Sequence, residues 1–298
     1  MKRAGCLMFA ALPVVVTATV YLLTPGETES QGAKGTPSAS QQARQDDKAG
    51  RAAEDALIAD LPPGLSAPKK KELAQQIVAS AENSTLNWRD QYGYIEDIGD
   101  GQGYTAGIIG FCTGTHDLLV LVESYTKEHP DNGLARYMPA LRKVDGTDSH
   151  EGLDPGFTAA WKREAEVAAF RKAQDAVRDR IYFEPAVRLA KLDGLGTLGQ
   201  FIYYDAMVLH GPGTGPNGFY GLRERALSEA DTPAQGGKEK AYLDIFLDIR
   251  RTAMKSKKAH RDTTRIDTAQ RRFLYDGNFD LDAPLEWAVY GETFRVPD

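Results

Sequence analysis

Beyond residue 66, apolar positions recur mostly at helical spacing. In "APKKKELAQQIVASAEN", Leu73, Ile77, Val78 and Ala81 share one face, a period that predicts a helix. "THDLLVLVESYTKEH" repeats the pattern through Leu118, Leu121, Val122 and Tyr125, with Thr113 or Thr115 placed to cap its start. The longest stripe, "FTAAWKREAEVAAFRKAQDAVRDRIYF", carries Trp161, Ala165, Ala168, Ala169, Ala173, Ala176, Val177 and Ile181, and predicts a single central helix. "TLGQFIYYDAMVLHG" is nearly all apolar and predicts a buried helix. "AYLDIFLDIRRTAMKSKKAH" reads as an amphipathic helix, and "TTRIDTAQRRFLYDGN" as another ending at Gly277. Strand signals are sparse: "QYGYIEDI" and "YTAGIIGFC" flank the turn "GDGQG" and can pair as a hairpin. The predicted class is mainly α with a small β-sheet.

The first 66 residues break this pattern. "MKRAGC" followed by the apolar run Leu7–Leu23 has the layout of a signal peptide, so residues 1–23 predict export to the extracellular space. A retained anchor is the competing reading. Residues 24–66 contain no aromatic side chain and cannot bury enough apolar surface to offset the entropy of ordering. They predict a flexible polar spacer, with a short helical piece near Ala52 to Leu61. The domain is then 67–298.

Net charge is −6, which argues against nucleic acid and anionic lipid as partners and suits a cationic substrate. Of the two cysteines, Cys6 lies in the export segment, so Cys112 stands alone and reads as an inert buried thiol. The five histidines, His116, His129, His150, His210 and His260, show no metal-ligand spacing. "GQGYTA" matches a dinucleotide fingerprint, but no helix-forming segment follows it and Asp100 would repel a pyrophosphate. No G-x-S-x-G anchors a serine hydrolase.

What remains is a pair of carboxylates without neighbours of opposite charge, Glu82 and Asp100. A glycosidase needs two such groups in contrasting environments, one to protonate the leaving oxygen and one to work ionised. Glu82 falls at a helix C-terminus, where the dipole disfavours negative charge. Asp100 sits in a glycine turn among backbone N–H groups. Thr105 follows in the hairpin, with a hydroxyl that could hold a water. A cap at Glu82 and an Asx-turn at Asp100 are the plainer readings.

Here the residues become specific. "SAENSTLNW", "QYGYIEDIGDGQGYTAGIIGFCTGTHDLL", "GLGTLGQFIYYDAMVLHGPG", "DTPAQGG" and "DTTRIDTAQRRFL" occur in unbroken order. Together they resemble the glycoside hydrolase family 46 chitosanases across residues 67–298. The resemblance implies a two-lobed, lysozyme-like fold with a substrate cleft, and an inverting endo-hydrolase of chitosan and chito-oligosaccharides. It implies no metal or organic cofactor, no stable protein partner, and a monomer. It also implies Glu82 as general acid, Asp100 as general base and Thr105 as a holder of the attacking water. Asp117 matches a cleft acid that grips a glucosamine ammonium, and Tyr94 and Tyr182 match positions lining the sugar subsites. Asp205, Arg250 and Arg265 match a charge network behind the acid; a purely structural ion network is the alternative.

Two departures bear on binding. Gln102 stands where an arginine is common, and "KSKKAHRD" is basic where relatives can carry cleft acids, so Lys257 and Arg261 would repel ammonium groups if they faced the cleft. Trp88, Trp161 and Trp287 read as core residues before sugar platforms. Two rivals keep parts of the pattern: a lysozyme-fold glycosidase acting on chitin or peptidoglycan, and a non-catalytic chitosan-binding protein. The first needs pockets that read an amide or lactyl group, and the second would lack one of the two carboxylates.

Overall fold

The computed structural model describes residues 39–257 and 261–298. Residues 1–23, the spacer as far as residue 38, and His260 lie outside them. The elements run α1 (Ala39–Ala59), α2 (Pro68–Asn83), β1 (Ile95–Asp97), β2 (Tyr104–Ala106), β3 (Phe111–Cys112) and α3 (Asp117–Glu128). Then come α4 (Met138–Val144), α5 (Phe157–Glu164), α6 (Ala168–Arg178), α7 (Glu184–Leu192), α8 (Thr197–His210) and α9 (Phe219–Glu229). The last are α10 (Glu239–Lys257), α11 (Arg271–Tyr275), β4 (Leu285–Val289) and β5 (Glu292–Val296). The class is mainly α, as the periodicity predicts. The description that follows concerns the body Gly50–Asp298.

Helix α8 is the centre of this body, since every residue from Thr197 to Met207 is buried. Helix α2 starts at Pro68, whose missing N–H costs nothing at the first helical position, and stops at Ser84 in a left-handed conformation (φ 50°). Its predicted stripe, Leu73, Ile77, Val78 and Ala81, is buried. All three tryptophans are core residues, and each indole N–H is satisfied: Trp88 by Glu72 Oε1, Trp161 by the Tyr92 carbonyl and Trp287 by Ser80 Oγ. The Trp287 bond ties the second hairpin to the end of α2, two residues before Glu82.

Four expectations change. The stripe from Phe157 to Phe183 is not one helix but α5, α6 and a π turn, Asp179–Phe183. Hydrogen bonds hold the chain at this break. Glu164 turns inward, accepting from Tyr125 Oη (2.7 Å) and Gly133 N (2.9 Å), and Arg171 satisfies the freed Ala165 carbonyl (2.8 Å). Neither Thr113 nor Thr115 caps α3. The cap position is His116, at φ 74°, while the Thr115 hydroxyl donates to Asp117 Oδ1 and that of Thr113 to the Gln102 carbonyl. A second hairpin, β4–β5, pairs around Tyr290 and Gly291. Its signal was the alternation of Leu285, Trp287 and Val289, all buried.

The fourth change is the boundary at residue 67. Leu65 is fully buried, its N–H donates to Gln200 Oε1 on α8 (2.8 Å), and α1 occupies much of the expected spacer. Truncating a fully buried leucine typically costs roughly 2–5 kcal/mol. A chain starting at Pro63 should therefore melt several degrees above one starting at Ala67, by about 2–4 °C per kcal/mol for a body of this size. Thermal denaturation of the two truncated proteins checks this; equal melting temperatures would place Leu65 outside the cooperative unit.

Candidate active site

Strands β1, β2 and β3 form one antiparallel sheet, with Glu96 opposite Thr105 and Thr105 opposite Cys112. These three side chains thus share one face, because residues directly opposite one another on paired strands point to the same side. Tyr94 leads into β1 and its hydroxyl lies 3.4 Å from Glu96 Oε2. Burial, then the Glu96 charge, raises that hydroxyl above the ordinary tyrosine value. The Thr105 hydroxyl is 3.3 Å from Cys112 Sγ, and the thiol is also 3.1 Å from the Gly110 carbonyl. The thiol is half-buried, not fully buried as its apolar flanks predict, but burial still pushes it up to about 11, so Cys112 is a poor nucleophile.

Asp100 lies exposed in the β1–β2 loop. Its Oδ1 accepts the Gln102 N–H (3.0 Å), the Asx-turn that the sequence allowed. Gly99, Gly101 and Gly103 in this loop all have positive φ, which glycine tolerates without a Cβ clash. Gln102, the departure from the arginine pattern, holds the loop by its backbone, its carbonyl accepting from Gly114 N (2.9 Å) and Thr113 Oγ1 (3.2 Å).

Asp117, the first residue of α3, is only 7% exposed. Its Oδ1 accepts from Cys112 N (2.9 Å), Thr115 Oγ1 (2.7 Å) and Leu118 N (3.0 Å), and its Oδ2 from Tyr182 Oη (2.6 Å). Burial raises this carboxyl above its ordinary value, against the pull of those donors. Tyr182 is itself buried, on the π turn, and its hydroxyl is occupied by Asp117 rather than open to solvent. It orients Asp117, and any sugar contact it makes must come from its ring.

A second group gathers around Glu82 at the end of α2. The Glu82 carboxylate receives Arg265 Nη1, and its side chain remains partly open to solvent. Arg265 also bonds Asp205 through Nε, at 2.9 and 3.1 Å to the two carboxylate oxygens. Arg250 reaches the same carboxylate at 2.8 Å and Gln270 at 2.5 Å, and Arg250 also holds Gln270 at 2.6 Å. Burial alone would raise Asp205, but the Arg265 and Arg250 charges outweigh it and hold the carboxyl at about 2. Arg265 therefore keeps a neutralising partner behind it while it faces Glu82. Gln270 went unnoticed in the sequence. It lies on the π turn Arg265–Gln270, whose i→i+5 bonding brings both ends to one carboxylate.

Among the described residues no hydrogen bond or ion pair joins the two groups. The surface grooves lined by Phe273 and Glu286, and by Leu57 and Leu195, include none of these side chains. Arg261 is exposed, and the Lys257 side chain lies outside the described residues.

A model for glycosyl hydrolase family 46 matches residues 76–285, which include every residue named above in the two groups. The chain belongs to family 46. A chitosanase of Streptomyces sp. (strain N174) is 56% identical over 233 residues, 78% of this chain and 84% of that protein. The co-crystal structure of chitosanase OU01 with substrate aligns at a TM-score of 0.76 and 54% identity, covering 78% of this chain and 98% of that one. A Gynuella sunshinyii GH46 chitosanase in complex with chitotetraose aligns at 0.71 and 32% identity, covering 76% and 97%. This family 46 chain accordingly has the lysozyme-like fold of its solved relatives.

Proposed function

We propose that the protein is an exported endo-chitosanase that hydrolyses β-1,4-linked glucosamine polymers with inversion, working as a monomer without metal or organic cofactor. The observation that carries the reading is the ion chain running from buried Arg250 through Asp205 and Arg265 to Glu82, within the span matched to family 46. Such a chain fixes one carboxyl of a pair while leaving the other, Asp100, free on a loop. Chitosanase relatives solved with substrate and with chitotetraose support the substrate class. The apolar run at residues 7–23 supports export.

In this reading Glu82 gives its proton to the glycosidic oxygen as the bond to the anomeric carbon breaks. Asp100 removes a proton from a water that attacks the same carbon from the opposite face. The Thr105 hydroxyl orients that water. The site ends with Glu82 ionised and Asp100 protonated, and proton exchange with solvent restores both. Asp117 has three donors on Oδ1 and one on Oδ2. Three donors saturate Oδ1, while Oδ2, with two lone pairs and one donor, keeps one lone pair for a glucosamine ammonium. Tyr94 stands beside that face of the sheet as a sugar contact.

An inverting pair leaves room for the water, with carboxyls roughly 6.5–9.5 Å apart in place of the ~5–5.5 Å of a retaining pair. Proton NMR in the first minutes of hydrolysis of a chitosan oligomer should therefore show the α-anomer before mutarotation. A β-anomer as first product, or a glycosyl-enzyme trapped on Asp100, would make Asp100 a nucleophile and remove the role given to Thr105.

A further inference from the structure

The loop carrying Asp100 begins after Asp97 and ends before Tyr104, which are register partners in the sheet. The three glycines with positive φ in the segment between them carry no side chain that could pack to hold it, so its ordering is entropically costly. Beyond its own turns and the Gln102 carbonyl held by Gly114 and Thr113, its geometry rests on its two stems. Both meet the same side chain, His150, in the connection between α4 and α5.

The His150 ring stacks on the Tyr104 ring, with centroids 4.0 Å apart and planes within 10°. Its Nε2 is 3.1 Å from Asp97 Oδ2, at ion-pair distance though off the axis of a hydrogen bond. Its Nδ1 is 3.4 Å from Asp154 Oδ2, and Asp154 Oδ1 accepts the Tyr104 hydroxyl at 2.6 Å. Asp97 spends its other oxygen on the loop itself, accepting Gly99 N at 2.8 Å. The same connection presses on the far stem: a Cβ at Gly103 would collide with Thr113 Oγ1 and lie 3.2 Å from the Thr147 carbonyl. Asp97, Asp154, Tyr104 and His150 thus close a ring of contacts around both ends of the loop, and no mechanistic step uses any of them.

We propose that His150 is a positioning residue for the general base: by stacking on Tyr104 and bridging Asp97 to Asp154, it holds both stems of the loop that carries Asp100. The inference rests on the assignment of Asp100 as base. It acts on turnover before affinity, because the ammonium contact at Asp117 hangs on α3 and Tyr182, outside this ring.

The test measures kcat and KM on chitosan, and the melting temperature, for His150→Ala, Asp97→Asn and the double variant. Each is made in the wild-type and the Asp100→Asn background. Asp97→Asn keeps the acceptor for Gly99 and carries the test should His150→Ala fail to fold. A misplacement near 1 Å can cost about 10²-fold. Each single variant should therefore lose about tenfold or more in kcat with KM unchanged. The double variant should be no worse than either single one, and neither change should lower kcat further once Asp100 is asparagine. Wild-type kcat in both single variants overturns the proposal, and so does the same fold-loss recurring in the Asp100→Asn background. If Asp100→Asn itself keeps wild-type turnover, the base assignment has failed. If Asp100→Asn is inactive and His150→Ala is not impaired, only the clamp has failed.

Discussion

Glu82→Gln and Asp100→Asn should each lower kcat on chitosan by about 10²–10⁴-fold or more while leaving oligosaccharide binding largely intact. Both substitutions preserve shape and remove one proton-transfer function. Glutamine at 82 can still accept from Arg265, so the ion chain behind it keeps a partner, but it cannot give up a proton to the leaving oxygen. Asparagine at 100 can still accept the Gln102 N–H, so the loop keeps its turn, but it cannot take a proton from water. In the proposed reading, binding is carried elsewhere, by Asp117. The rival base is Glu96, which faces Thr105 directly across the sheet and lies near Tyr94. Single-turnover rates together with titration of a chitosan oligomer separate the cases. Near wild-type turnover in Asp100→Asn, with loss in Glu96→Gln, would move the base to Glu96.

The helices facing one core were legible because their apolar residues repeat on one face, as in Leu73, Ile77, Val78 and Ala81 of α2. The buried helix α8 was legible for the opposite reason, being apolar all round. The break after Glu164 was not, because periodicity treats a glutamate as a solvent-facing residue. Only the three-dimensional structure shows Tyr125 and Gly133 waiting for it. Leu65 was misread for a related reason. Pro62, Pro63 and Gly64 end the helical period of Leu57, Ile58 and Leu61 just before it, so Leu65 carries no periodic signal, yet it fills a place against α8.

The same limit applies to the site. Glu82 and Arg265 are 183 positions apart, and Asp205 lies between them in sequence. No local pattern links such groups: Glu82 stands out alone, as a carboxylate at a helix end, and only the resemblance joins Asp205 and Arg265 to it. Gln270 and His150 entered through neither route. Gln270 needed the π turn to reach Asp205, and His150 needed the fold to set its ring on Tyr104.

Arg265→Ala should destabilise the protein by about 3–5 kcal/mol and abolish most turnover, because it leaves the buried Asp205 carboxylate undercompensated and strips Glu82 of its guanidinium. Asp205, Arg250 and Arg265 are all nearly inaccessible to solvent, so water cannot substitute for the lost charge. At about 2–4 °C per kcal/mol, the melting temperature should fall by roughly 6–20 °C. The pH dependence of stability isolates the Asp205 part. Asp205 titrates at about 2 in the folded protein against an ordinary value of 3.8, so unfolding takes up a proton in this range. Its contribution, about 2 kcal/mol at about 1.4 kcal/mol per unit, is complete above the unfolded value and is lost as the pH falls through the folded one. In wild type, stability should therefore decline between about pH 4 and pH 2. In Arg265→Ala the carboxyl loses one of its two cations, so its folded value rises and this acid-side loss shrinks. Denaturant titrations at a series of pH values read the difference directly. An Arg265→Ala protein with wild-type stability and the same acid-side slope would mean that Arg250 and Gln270 suffice for Asp205, leaving Arg265 with Glu82 as its one task.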